Sequence, residues 1–278
     1  MLQENSNRPM KNKLLILLLA ALFALPVAAI KIKAKPAYKA GETLECVFYF
    51  NWKFVWVKAG GARLIIRDTI YNGQKAQYMS LLSSTNETAA AFFKMRDTLT
   101  CITTPQLEPL YFRKGAEEGS HYTVDEVRFG YEGGKCIVDQ QRYRRGKGTT
   151  KTKEVSDQCV FDMLSILLQA RSFDPTHYKV GDKILFPMAT GRKVEQQTLI
   201  YRGKKKFKAE DGVKYRCLVF SLVEYDKDGD EDEVISFYVT DDRNHLPVRL
   251  DLYLNFGSAK AFLKTVKGNR YPLESIIE

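Results

Sequence analysis

Residues 213–240 read VKYRCLVFSLVEYDKDGDEDEVISFYVT. Two runs dense in Val, Ile, Phe, Tyr and Leu, 213–225 and 231–240, flank an acidic turn centred on Asp228-Gly229. β-branched and aromatic residues suit a pleated, half-buried surface, and Asp-Gly between two such runs accommodates the positive φ of a tight hairpin. The stretch therefore reads as two antiparallel strands. Asp226-Lys227-Asp228-Gly229-Asp230 also opens like a calcium loop, but Glu231 stands where that loop turns on Gly and Phe237 where a bidentate Glu closes it. The hairpin is the simpler reading.

The same alternation of β-rich runs and turn residues continues in both directions. Strand candidates follow at 247–256 and 259–266 and precede at 182–189, 192–201 and 204–209, separated by Gly257-Ser258, Gly191, Gly203 and Asp211-Gly212. Nearer the N-terminus the candidates are 44–57, stopping at Gly60-Gly61, then 62–70, 74–85 after the hairpin signal Asn72-Gly73, 97–103, 108–114, 121–131, 135–145 and 149–155. Connections this short favour antiparallel neighbours, because parallel pairing needs long crossovers. The period changes in two places. Residues 87–95 read as a short helix carrying Phe92 and Phe93 to the core. Residues 159–170 read as the main helix, with Ser156 or Asp157 as N-cap, Val160, Met163, Leu164, Leu167 and Leu168 on one face, and Asp174-Pro175 beyond its end. The expected fold is mainly β: an antiparallel meander curled into a barrel or half-barrel, with one central helix (about 157–171) packed against it. Residues 30–278 form one domain of two meandering halves, about 38–155 and 178–267. Tyr38-Lys39-Ala40-Gly41-Glu42 is echoed by Tyr178-Lys179-Val180-Gly181-Asp182 at the start of each half; chance reuse of a common strand-entry motif is the better account of so short a match.

The first 29 residues read as an address. Lys11-Asn12-Lys13 precedes an apolar run at 14–25, Pro26 breaks it, and Val27-Ala28-Ala29 offers small residues for cleavage. This is the layout of a secretory signal peptide, and the run is short for a bilayer span. Met10 is as good a start as Met1. Removing three basic residues and one acidic one leaves a mature charge of +8 from the whole chain's +10. With a mean hydropathy of -0.30 the chain is no polytopic membrane protein, and no later segment is long and apolar enough to span. The expected product is exported, periplasmic or envelope-associated.

The five cysteines, Cys46, Cys101, Cys136, Cys159 and Cys217, all follow the leader. Export permits disulfides, but an odd count leaves at least one thiol unpaired, and no C-x-x-C pair supports zinc or thioredoxin-like chemistry. The residues read as small buried apolar groups, with any pairing left open.

Candidate chemistry is sparse. The loop from Thr240 to Pro247 gathers Asp241, Asp242, Arg243 and His245, a polar site that could support acid–base work, although Asp and Asn are ordinary turn formers. Trp52, Phe54 and Trp56 alternate and, on one strand, would share a face that lines a ligand cavity or simply fills a core. Two basic clusters, Lys204-Lys205-Lys206 with Lys208, and Arg142, Arg144, Arg145, Lys147, Lys151 and Lys153, could touch anionic lipid or acidic envelope polysaccharide, or could be solvated strand faces. Gly119-Ser120-His121 puts its Ser and His on opposite strand faces, a poor nucleophile pair. His177 follows Pro175 in a loop with no nameable partner. No nucleophile elbow, metalloprotease helix, P-loop or dinucleotide fingerprint is present. No catalytic, cofactor-binding or metal-ligating residue is assigned.

Several stretches together resemble domain-of-unknown-function family 3108, a group of exported bacterial proteins. They are residues 38–44, Gly60-Gly61-Ala62, Phe92-Phe93 with Asp97, Pro109-Leu110-Tyr111-Phe112-Arg113, Phe161-Asp162-Met163-Leu164-Ser165 with Arg171, Val180-Gly181-Asp182, Tyr238-Val239-Thr240-Asp241-Asp242 through Leu246-Pro247-Val248-Arg249, and Phe256-Gly257-Ser258. The resemblance implies a β-rich, barrel-like exported protein and supplies no catalytic residues. The expected function is that of a non-enzymatic binding or scaffold module for an apolar or amphipathic envelope ligand or a protein partner. The alternative is a hydrolase of envelope glycan or lipid, since such hydrolysis uses carboxylate pairs. Partners are expected among envelope lipids, glycans and proteins rather than nucleic acid.

Overall fold

In a computed structural model of the chain, the described residues are 36–52, 55–209, 212–254 and 257–278. The leader reading at 1–29 lies outside them. The first meander comprises β1 (Thr43–Trp52), β2 (Val55–Tyr71), β3 (Gln74–Thr85), β4 (Met95–Thr103), β5 (Pro109–Glu118), β6 (His121–Glu132), β7 (Lys135–Arg144) and β8 (Gly148–Ser156). The second comprises β9 (Lys183–Ala189), β10 (Val194–Lys208), β11 (Lys214–Tyr225), β12 (Glu231–Thr240), β13 (Pro247–Leu254) and β14 (Gly257–Lys267). Every strand pairing is antiparallel, and the two meanders fuse where β1 pairs with β14, from Thr43 opposite Lys267 to Phe50 opposite Ala259. A short β15 (Ile276–Ile277) adds to β11. The sheet is thus an open, curled half-barrel with β8 and β9 at its edges.

Two helices accompany it among the described residues, α1 (Glu87–Ala90) and α2 (Ser165–Arg171). Leu164 and Leu168 join Val160 in one buried cluster with Leu44, Leu64, Leu99, Cys101, Val127 and Val138. The sheet face carrying those residues is the inner one, and α2 fills it on the side of the first meander. Side chains alternate along strands, so Asp125 and Gln140 face inward with Val127 and Val138.

The two edges meet through side chains rather than a ladder. The Gly191 N–H donates to Gln140 Oε1 at 3.0 Å, the Val194 N–H to Glu154 Oε1 at 2.8 Å, and Thr152 Oγ1 to the Arg192 carbonyl at 2.8 Å. Arg142 binds the Asp125 carboxylate and donates to the Thr190 carbonyl at 2.7 Å. The β9–β10 turn therefore lies against the inner face of β6–β8. Gly191 is required there: its φ is +81°, and a Cβ would lie 2.6 Å from Asp125.

The observed elements depart from expectation in four places. The 44–57 run is a hairpin, not one strand, and Gly60-Gly61 lies within β2 instead of ending a strand. A Cβ on Gly60 would stand 2.1 Å from the Ser84 carbonyl oxygen, so these glycines mark a close backbone approach. The 87–95 helix shrinks to α1, and Phe92 and Phe93 are exposed. The main helix begins at Ser165 rather than near 157. Its first amides, Leu164 N–H and Ser165 N–H, donate to Asp162 Oδ1 at 2.8 and 2.9 Å, while Phe161 is extended and bridges Met188 of β9. Met163 is exposed, although Val160, Leu164 and Leu168 face the core as expected. Finally, 192–201 and 204–209 are one strand, β10, whose register shifts between Tyr201 and Gly203.

The internal echo is structural. Gly41 and Gly181 have φ of +91° and +94°. The Gly41 N–H donates to the Ile66 carbonyl and the Ile66 N–H to the Glu42 carbonyl; the Gly181 N–H donates to the Tyr201 carbonyl and the Tyr201 N–H to the Asp182 carbonyl. The same turn thus starts each meander.

Candidate functional site

Two features of the inner face stand out: a buried polar hub at the end of α2, and an apolar ribbon across the second meander.

The hub is built from four segments far apart in sequence. Arg171, in the last turn of α2, donates from both terminal nitrogens to the Glu42 carboxylate, at 2.5 and 3.1 Å, and from Nε to the Asn244 carbonyl at 3.1 Å. Tyr38 lies beneath the guanidinium, 5.6 Å from ring centroid to carbon. Asn244, fully buried, donates to the Tyr271 and Pro272 carbonyls and accepts from the Tyr271 N–H. A buried charge needs a paired, hydrogen-bonded environment, and here it has one.

The polar loop read from sequence sits directly over this hub, beside a shallow cavity of about 380 Å³. Its groups are already engaged. Asp242 accepts from Thr240 Oγ1, the Asn244 N–H and the Ser275 N–H. Asp241 pairs with Lys204 at 2.9 Å. Arg243 stacks on Tyr271, 3.8 Å from its centroid. His245, at φ +43°, stacks on Phe173 and makes a 2.8 Å hydrogen bond from Nδ1 to the Arg171 carbonyl. A carbonyl only accepts, so Nδ1 carries the proton. Burial pushes the imidazole pKa below its ordinary value, which keeps it neutral. These carboxylates bind backbone amides and a surface lysine, an arrangement that anchors the C-terminal tail and the β12–β13 loop.

The ribbon is read from the register. Cross-strand partners share a face, so Tyr201, Phe220, Phe237, Leu250, Ala261 and Phe48 form one rung across six strands. Leu199, Leu222, Ile235, Leu252, Ala259 and Phe50 form the next, extended by Ile184 and Val57 at its two ends. Phe48 lies four residues beyond Leu44 on β1 and so shares the face of that core residue, the inner one. Phe173 and Tyr178, which follow α2, cover Phe220 and Tyr201; the rest of both rungs is half-buried except for Ala261, and Val57 is 42% exposed. A contiguous apolar strip this long is unusual for a surface with no partner.

Of the aromatic trio, Trp52 pairs with Val55 and Trp56 with Asn51, so the three do not lie along one strand. Trp56 is on the outer face beneath Lys260, 4.0 Å from its ring centroid. Phe54 lies outside the described residues. The basic cluster at 142–153 is divided: Arg142 is committed to Asp125 on the inner face, while Lys151 and Lys153 are exposed on the β8 edge. The acidic 226–230 segment is a turn in which Asp226 Oδ1 accepts from the Asp228 and Asp230 N–H groups. The Glu42–Arg171 pair and the apolar rungs escaped the sequence reading. The rungs alone had a signal there, the alternation of Leu222, Phe220 and Leu218 with smaller or polar residues.

A family model described as "Protein of unknown function (DUF3108)" matches residues 47–264. The fold is similar to the crystal structure of a beta-barrel-like protein of domain of unknown function DUF1849 from Brucella abortus, at a TM-score of 0.53 and 8% identity over 83% of this chain and 98% of that one. Comparison with curated proteins gives no match.

Proposed function

The chain belongs to the DUF3108 family, and on that premise we propose that it is an exported, non-enzymatic carrier or docking module for an amphipathic lipid, whose acyl chain lies along the inner apolar ribbon. The half-buried second rung from Ile184 to Phe50 carries this reading. Half-curled sheets hold apolar ligands on such faces, with few polar groups nearby. The basic balance of the chain, +10 overall, suits an anionic head group. The leader pattern at 11–29 supports export, and the engaged state of Asp241, Asp242 and His245 supports a binding role over a catalytic one.

The test is native mass spectrometry of the gently purified protein, together with titration of a fluorescent fatty acid into the delipidated chain. Co-purified lipid or saturable binding of the probe is expected. Absence of both rejects the reading. Edman sequencing of the mature protein, beginning near Ile30 in an extracytoplasmic fraction, checks export.

A further inference from the structure

We propose that the head group of the bound lipid is an aminoalkyl phosphate seated on the inner face of the first meander, its ammonium donating to Asp97 and its phosphate accepting from Lys114. This inference rests on the lipid reading above and gives the class of head group that goes with the acyl chain.

The inner face has two unlike walls. In the second meander it is the apolar ribbon. In the first meander one rung runs from Cys46 through Ala62, Ser83 and Asp97 to Ala116. Asp97 lies two residues before Leu99 and four before Cys101 on β4, so it shares the inner face of those core residues. Lys114 stands opposite Leu99 and is on that face too. From Phe48, where the ribbon reaches β1, to Asp97 on β4 is three strand spacings, about 14 Å. Between them stand only the short side chains of Ala62 and Ser83 and the bare backbone of Gly60. The ribbon thus leads over a low floor to a polar end.

That polar end is incomplete. The Asp97 side chain is 10% exposed, and its Oδ1 has no hydrogen-bond partner among the described residues. Lys114 Nζ stands 4.0 Å from Asp97 Oδ2 and 3.7 Å from Glu118 Oε1, attractive distances that are too long for hydrogen bonds. Arg142, a neighbouring inward cation, is committed to Asp125. Burying a carboxylate without a donor is costly, and here burial pushes the Asp97 carboxyl up to about 6. Asp97 therefore lacks a donor and Lys114 an acceptor, while two carboxylates around one ammonium leave the spot net negative. A bare anion satisfies Lys114 alone. A quaternary ammonium brings positive charge but no N–H. A primary ammonium joined to a phosphate supplies the donor, the positive charge and the acceptor together, in charge-assisted hydrogen bonds, which are the strong ones.

The experiment compares lysophosphatidylethanolamine with lysophosphatidylcholine of the same acyl chain, each displacing the fluorescent fatty acid from the delipidated full chain at pH 7.5. The two lipids differ only in the methyl groups that remove the N–H donors. The ethanolamine lipid should bind at least about tenfold tighter. In D97N, nearly isosteric with the wild type, the ratio should fall below about threefold. K114M should weaken both lysolipids alike. Equal affinity for the two in the wild type, with the fatty acid still bound, overturns the head-group inference and leaves the lipid reading standing. Failure of every lipid to bind overturns both. An unchanged ratio in D97N, or wild-type affinities in K114M, overturns the placement at Asp97 and Lys114.

Discussion

Arg171 grips both carboxylate oxygens of Glu42 across 129 residues of chain, and the two side chains are 1% and 0% exposed. The pair joins the lead-in turn of β1, the end of α2 and the β12–β13 loop. Truncating one partner strands the other charge in the interior, which costs roughly 3–5 kcal/mol. Urea denaturation of E42Q and of R171M should each show a loss of that order. The double variant E42Q/R171M should lose less than the sum of the two, because no lone charge remains.

Asp162 is buried and caps α2, and burial raises its pKa to about 6 from 3.8. The folded state therefore favours the protonated acid. Its contribution to stability is complete below pH 3.8 and is lost as pH rises through 6. An Asn keeps the capping oxygen without the charge. The D162N protein should match the wild type in thermal unfolding near pH 4 and exceed it above pH 6, by at most roughly 2–3 kcal/mol. Equal Tm values at pH 7.5 would show that the ionised form is well solvated.

The contact between the sheet edges depends on Gly191 and Glu154. G191A places a methyl where Asp125 stands and forces a positive φ on Ala, so a loss of more than about 1 kcal/mol is expected. E154A leaves the Val194 amide and the Gln140 side-chain amide without their acceptor. Hydrogen exchange is the discriminating measurement: both variants should exchange faster at β8 and at the β9–β10 turn, while β2–β4 stay protected. Uniform acceleration would mean that the edges do not open as a unit.

For the ribbon, L222Q/I235Q changes two half-buried side chains and leaves the α2 cluster intact. It should fold with a modest loss of stability and weaken binding of the fluorescent fatty acid at least tenfold, which corresponds to about 1.4 kcal/mol. W56A, on the outer face, should bind as the wild type does. Equal affinity in all three proteins would place the probe elsewhere.

The β architecture was legible because hairpin chemistry is local: Asn72-Gly73 and Asp228-Gly229 announce their turns within a few residues. The division of 44–57 into two strands has no such signal, since no Asn-Gly or Asp-Gly stands between Trp52 and Val55, and Gly60-Gly61 reads as a stop where it is a close approach between strands. The start of α2 was misplaced because Val160 and Phe161 are apolar in either conformation, and only the bridge to Met188 decides between them. At the site, the closeness of Asp242 and His245 in sequence shows only that they share one loop. Their partners, Ser275 and Arg171, lie 33 and 74 residues away, and no local pattern announces them. The ribbon was hidden for a related reason. Each strand contributes only two or three apolar side chains to it, and only the register lines them up.

The pairing of Thr43 with Lys267 has a kinetic consequence. The first meander can assemble from neighbours as it is made, but its leading strand stays half-satisfied until almost the whole polypeptide is available. Such a high-contact-order seam folds slowly, so the sheet is joined into one only when nearly the whole polypeptide has been made.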